Sequence, residues 1–193
     1  MKIILITVLS FVFSIYSFGQ VSINSNLFWA KDWSKEISLY KGKEYVISEL
    51  LQFDNTTMRF KIYPLAAANS GEMTTLVYEC EEKKIEGLVL GFFGSFYNEN
   101  GFLYTGYKFK NLPKEKALQM LIEIDRVFSD NKKFLDNDME NHNVTFKWDE
   151  MIFLIYSASP GQHKIRVFWE KFDSEWDIGA YLKTKKRLLK QLK

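Results

Sequence analysis

The feature that most constrains the fold is an amphipathic segment that begins at Lys114. Its apolar residues recur at positions i, i+4, i+7 and i+11, which is the spacing of one helix face, at Ala117, Leu121, Ile124 and Phe128. Pro113 is tolerated at the start of a helix because its missing N–H would have no intrahelical partner there. The spacing therefore predicts a helix with one face to bury.

An aromatic-rich segment at residues 102–109 directly precedes this helix and predicts a strand. Gly106 interrupts its alternation, so we expect a bulge at that position. Residues 85–93 supply the preceding strand, which completes a β-β-α unit. A sheet and a helix that each carry one apolar face must bury those faces against each other.

A similar order of segments recurs near the C-terminus. Strands are predicted at 151–157 and 164–172, followed by a helix that is capped by Asp173 or Ser174 and carries Trp176 on its apolar face. The low identity of the two units leaves open whether they form an internal repeat. The predicted fold class is α+β, a two-layer sandwich in which two β-β-α-like units form a curved antiparallel sheet covered on one face by two helices.

The segments that precede these two units have weaker secondary-structure patterns. Residues 35–40 are predicted as an opening strand. Residues 45–53 fit both helical spacing and strand alternation, and the turn-like residues that follow them favour a strand.

Residues 1–19 predict a signal peptide. Lys2 precedes an apolar run at 3–18 without acids or amides, and Ser17 and Gly19 place small residues before a cleavage point. The run is shorter than the roughly 20 residues of a spanning helix, which favours a signal peptide over the alternative of an uncleaved membrane anchor. The segment is similar to export signals of Gram-negative bacteria, and this resemblance implies cleavage near Gly19-Gln20 and a periplasmic or extracellular location. Residues 20–193 are then expected to form a single α+β domain.

Composition narrows the classes of function. Near-equal numbers of basic (26) and acidic (24) residues predict no broad attraction to nucleic acid. Cys80 is the only cysteine, so an internal disulfide is excluded, and its acidic neighbours disfavour the thiolate that a nucleophile needs. With His142 and His163 as the only histidines, we expect no metal site and no cofactor, and we assign no catalytic residue.

Aromatic residues are unusually frequent at 17% of the chain, and they crowd into two regions, 92–109 and 148–169. Three interpretations remain open: a filled core, an apolar cavity for a ligand, or an exposed strip for a sugar or a protein. The candidate ligand-binding residues are Phe92, Phe96, Tyr97, Tyr104, Tyr107, Trp148 and Trp169.

The C-terminal segment is rich in basic residues and has no acid after Asp177, with Lys183, Lys185, Lys186, Arg187, Lys190 and Lys193. These residues favour a solvated helix face that complements the helix dipole, and contact with a membrane is the alternative.

The expected function follows from export, aromatic content and the lack of a recognisable catalytic constellation. We expect a non-enzymatic binding protein of the bacterial envelope, with an apolar small molecule or a protein as its partner. One alternative is a hydrolase that uses paired carboxylates. Another is a secreted inhibitor or immunity-type protein.

Overall fold

The computed structural model describes residues 36–52, 57–66, 72–97, 99–137, 141–159 and 161–191, all of which lie within the unit Ser34–Lys193. The predicted signal peptide and residues 20–35 lie outside the described residues.

The first half of this unit consists of a helical segment, a four-stranded sheet and a long helix. Helix α1 covers residues 36–45 and continues as a π-helical turn, Val46–Leu50. Sheet 1 has antiparallel neighbours in the order β1 (Lys61–Ala66), β2 (Thr74–Cys80), β3 (Ile85–Tyr97) and β4 (Leu103–Pro113). Helix α2 follows at Lys114–Asn137.

The second half repeats the pattern of four strands and a helix. Sheet 2 is also antiparallel, in the order β5 (Asn143–Trp148), β6 (Met151–Ser159), β7 (Gln162–Trp169) and β8 (Phe172–Asp177). Helix α3 covers Ile178–Gln191. The predicted α+β class with antiparallel strands is therefore confirmed, although the strands form two sheets and the described residues include three helices. Within the described residues, no helix is long and apolar enough to cross a membrane.

The central helix has the predicted apolar face. Ala117, Leu121 and Ile124 are buried, and Phe128 packs against the same core. The predicted bulge at Gly106 is wrong, because β3 and β4 pair in continuous register with Gly106 opposite Gly94. Apart from its chain neighbours, no atom of the described residues lies within 4 Å of the position that a Cβ of Gly106 would occupy.

Sequence reasoning placed the start of the last helix too early. Glu170 has a positive φ of 54° in a tight turn, and this turn allows β8 to pair with β7. Trp176 therefore lies on a strand, and neither Asp173 nor Ser174 caps a helix. The cap is Asp177, whose Oδ1 accepts hydrogen bonds from the backbone N–H of Gly179 (2.8 Å) and of Ala180 (3.3 Å).

The strands predicted at 35–40 and 45–53 are also wrong, since residues 36–50 are helical. The helical conformation follows from packing, because β2 is buried on both faces and other residues must pack against each face of sheet 1 at this strand. Val46 and Leu51 supply one cover by packing with Leu76 and Tyr78 of β2 and Val89 of β3.

The main core lies on the other face of sheet 1 and includes residues of α2, α3 and sheet 2. Val77 and Leu88 from sheet 1 share this core with Phe153 and Ile165 from sheet 2. The backbone N–H of Met73 donates to the carbonyl of Glu175 (2.8 Å), which joins the two sheets directly.

Glu175 should contribute stability that is lost in acid. Burial alone would raise the pKa of its carboxyl, but hydrogen bonds from Lys164 (2.6 Å) and from Tyr156 (2.7 Å) outweigh burial and lower the pKa below its usual value of 4.5. A lowered folded-state pKa stabilises the fold above the unfolded-state pKa, and this contribution disappears as the pH falls through the folded-state value.

We therefore expect the unfolding free energy to decrease below about pH 4.5, and to decrease less in Glu175→Gln than in the wild type. Urea unfolding at neutral and acid pH measures both slopes. Glu99→Gln is the control, because Glu99 is exposed and forms no ion pair with a described residue. Equal acid sensitivity in Glu175→Gln and the wild type would contradict the prediction.

Candidate functional site

The end of the β3–β4 hairpin carries four large apolar side chains that are at least half exposed. These residues, which we call the apolar tip, are Tyr97 (66% exposed), Phe102 (65%), Leu103 (59%) and Tyr104 (50%). Scattered single apolar residues are normal on a protein surface, whereas a cluster of this kind is typical of an interaction site.

The strand register places apolar side chains on both faces of the hairpin end. Tyr97 pairs with Leu103, so their side chains lie on one face, and Tyr104 follows Leu103 and therefore points to the opposite face. Both faces are solvent-exposed at this position. The hairpin end is therefore accessible to a partner from two sides.

On the face shared by Tyr97 and Leu103, aromatic rings connect the hairpin to α1. The ring of Tyr107 lies 4.9 Å from that of Phe93 and 6.1 Å from that of Phe109, and Phe109 stacks on Tyr45 of α1 at 5.5 Å. Such ring pairs add stability beyond the area that they bury. This row fixes the base of the hairpin on one side.

On the opposite face, lysines of β4 attach the hairpin base to sheet 2. The ammonium groups of Lys108 and Lys110 lie 4.9 Å and 5.2 Å from the ring centre of Trp169, at cation–π distance. Lys108 also pairs with Glu170, and Lys110 pairs with Glu150 at 2.9 Å. The hydrogen bond from Lys110 is the main reason that the pKa of Glu150 is lowered. The hairpin is therefore held on both faces below its exposed end.

The seven predicted aromatic residues do not form one site. Phe92 is fully buried with its ring 5.5 Å from that of Trp169, which is 8% exposed, so both belong to the core. Tyr107 and Trp148 are half-buried. Tyr97 and Tyr104 lie together at the apolar tip, and the side chain of Phe96 lies outside the described side chains.

Sequence reasoning missed Phe102 and Leu103 as site residues. They are the first two residues after the turn that ends at Gly101, whose φ is +78°. Apolar residues beside a strong turn sequence lie at the end of a hairpin, where a sheet has few neighbours to cover them. Their place next to this turn in the sequence could therefore have predicted that their side chains are exposed.

Three surface clefts formed by described residues contain none of the seven predicted aromatic residues. One cleft, of about 380 Å³, lies between the π-helical turn of α1 and the start of α2. Its lining combines apolar surface with charged and polar groups, among them Glu86, whose carboxylate pairs with Lys114 at 2.7 Å, and Asn111, which accepts a hydrogen bond from Tyr78 (2.9 Å). These features do not match an enclosed apolar pocket.

The hydrolase alternative requires a carboxyl group that stays protonated near neutral pH. Among the described residues, the carboxyl groups with a shifted pKa all have a lowered pKa, and they belong to Glu123, Asp136, Glu150 and Glu175. None of these groups therefore has the raised pKa of a general acid.

Residues that commonly bind metals are dispersed in the described part of the chain, where no group of three or more His, Cys, Asp or Glu could hold an ion. Cys80 is buried. His163 is buried with its Nε2 3.0 Å from Asp136, and His142 stacks on Phe134.

Comparison of the chain with protein-family models, with curated proteins and with solved structures found no match.

Proposed function

We propose that the chain is a non-enzymatic binding protein of the bacterial envelope that docks onto a protein partner through the apolar tip. The observation that carries the proposal is the exposure of four large apolar side chains at the end of one hairpin. Covering such surface is favourable by about 25 cal/mol per Å². The export part of the proposal rests on the apolar run at 3–18 and the small residues Ser17 and Gly19.

The geometry favours a protein over an apolar small molecule. A small apolar ligand is normally enclosed by a concave pocket, whereas the apolar tip presents two open faces. Tyrosine and phenylalanine side chains supply a large contact area with few rotatable bonds, and aromatic residues are enriched in protein interfaces. An inhibitor or immunity-type protein would be one case of such a binder.

The outer edge of β4 provides a route for docking. Among the described strands β4 lies at the edge of sheet 1, with β3 as its one neighbour in that sheet. Edge strands commonly carry charges or prolines that prevent pairing, but residues 103–107 contain neither. A partner strand could therefore pair with β4 while its side chains contact Leu103 and Tyr104.

Site-specific photo-crosslinking in the envelope of the source cells tests the proposal. A crosslinker at Leu103 should label one discrete protein, and a crosslinker at Ile122 of α2, which is 66% exposed, should not label it. Adding Tyr97→Ser and Tyr104→Ser should lower the yield from Leu103 by about tenfold or more, as for aromatic hot spots. Equal labelling from both positions, or no labelling from Leu103, would overturn the proposal.

A further inference from the structure

The outer face of α3 combines exposed leucines with exposed lysines. Leu182 and Leu189 are 53% and 41% exposed. Helical spacing of i, i+4 and i+7 places both leucines on the same side of the helix as residue 186. Spacing of i, i+3 and i+7 adds residues 183 and 190 to that side. We call this side the leucine–lysine face, and it consists of Leu182, Lys183, Lys186, Leu189 and Lys190.

The lysine charges of this face are uncompensated within the described structure. Lys183, Lys186 and Lys190 are exposed and form no ion pair with a described residue. In contrast, other basic residues of α3 are engaged elsewhere, since Lys185 pairs with Asp125 and Arg187 donates to the carbonyl of Leu65 (2.7 Å). The sequence of α3 contains no acidic residue. The face is therefore strongly positive.

The opposite side of α3 is fixed to the body of the protein. Tyr181, Thr184 and Leu188 are buried, and the Tyr181 hydroxyl donates to the Asp125 carboxylate of α2 (2.7 Å). The helix thus cannot turn its leucines inward without losing these contacts. Its outer face is presented as a preformed surface.

We propose that the leucine–lysine face binds the surface of an anionic lipid bilayer. Leucines on one side of a surface helix enter the boundary between head groups and acyl chains, and neighbouring lysines contact anionic head groups. Nucleic acid would satisfy the lysines but would offer no apolar layer to the leucines. An acidic protein would need both features spaced to match the helix, whereas an anionic bilayer supplies both at every point. This inference goes beyond the proposed function and does not depend on the apolar tip.

Vesicle co-sedimentation of the full chain tests the inference with phosphatidylcholine alone and with phosphatidylcholine mixed with phosphatidylglycerol. The apolar run at 3–18 contributes equally in every variant, so neutral vesicles give the baseline. We expect tighter binding to the anionic vesicles, which weakens as salt is added. Replacing Lys183, Lys186 and Lys190 with glutamine should weaken that binding by about 100-fold, at about fivefold for each lysine.

The matched control replaces Lys133, Lys147 and Lys171 with glutamine, because these exposed lysines also form no ion pair with a described residue and the net charge changes equally. This control should lose little binding. A second variant, Leu182→Ser with Leu189→Ser, should weaken binding by about tenfold. Thermal melting of each variant verifies that it remains folded.

Three results would overturn the inference. Equal binding to neutral and anionic vesicles would exclude lipid charge as the determinant. An equal loss in the two triple-lysine variants would mean that net charge, and not this face, governs binding. Unchanged binding of the leucine variant would mean that the leucines do not enter the bilayer and that the contact with the vesicles is purely electrostatic.

Discussion

Replacing Trp176 with alanine is expected to lower the unfolding free energy by about 3–5 kcal/mol, the usual cost of truncating a buried aromatic side chain. Trp176 is 1% exposed on β8, and its ring meets the ring of Tyr181 edge-on at 5.2 Å. Its indole N–H makes no hydrogen bond within the described structure, so the loss is one of apolar packing. The cavity would open between β8 and α3.

The same substitution should weaken the attachment of α3 to α2. Tyr181 donates hydrogen bonds to the Asp125 carboxylate (2.7 Å) and to the carbonyl of Leu121 (3.1 Å), and Trp176 supports the ring that makes these bonds. Tyr181 is 1% exposed, and this burial is the main cause of its raised pKa. Packing and hydrogen bonding are therefore coupled here.

Urea unfolding of Trp176→Ala, followed by far-ultraviolet circular dichroism, measures the effect. Leu182→Ala is the control because Leu182 follows Tyr181 on the same helix but is 53% exposed, and its effect should stay within about 0.5 kcal/mol. A loss below about 1 kcal/mol in Trp176→Ala would contradict the burial of this ring between β8 and α3.

The elements predicted correctly are those whose own sequence carries a strong pattern. Helix α2 has an apolar face at helical spacing and no competing interpretation, so its existence followed from the residues alone. Strand β8 was missed because its turn contains Glu170 and Lys171, with Glu170 in a left-handed conformation that glycine or asparagine normally signals. Residues 36–50 were misassigned because their conformation depends on tertiary packing. They pack against one face of β2, which is buried on both faces.

The candidate site could be predicted only in part for a similar reason. Aromatic composition located the hairpin, but composition does not tell which rings face the core and which face solvent. The pairing register separates them, since Phe92 packs against Trp169 whereas Tyr97 and Tyr104 lie beyond the last covered positions. Register depends on the partner strand and cannot be read from one segment.

Replacing Gly87 with alanine is expected to destabilise the fold by about 3 kcal/mol, at the upper end of the usual cost of overpacking. An added Cβ would overlap the carbonyl oxygen of Leu112 and would lie 2.9 Å from the hydroxyl oxygen of Tyr78. The first contact is with backbone that is held in the β3–β4 ladder, so a side-chain rotation cannot relieve it. The second would disturb the hydrogen bond from Tyr78 to Asn111 (2.9 Å).

Gly106→Ala is the matched control, since it adds the same methyl group to the partner strand where, apart from the chain neighbours, no atom of the described structure lies within 4 Å. Its backbone lies outside the left-handed region, so alanine should be neutral or should stabilise by about 0.4–1 kcal/mol through the unfolded state. Urea unfolding of both variants should therefore give effects that differ by about 3 kcal/mol or more. Equal effects would mean that β3 and β4 can separate at Gly87 to admit the methyl group, and the close approach of the two strands would then not be a requirement of the fold.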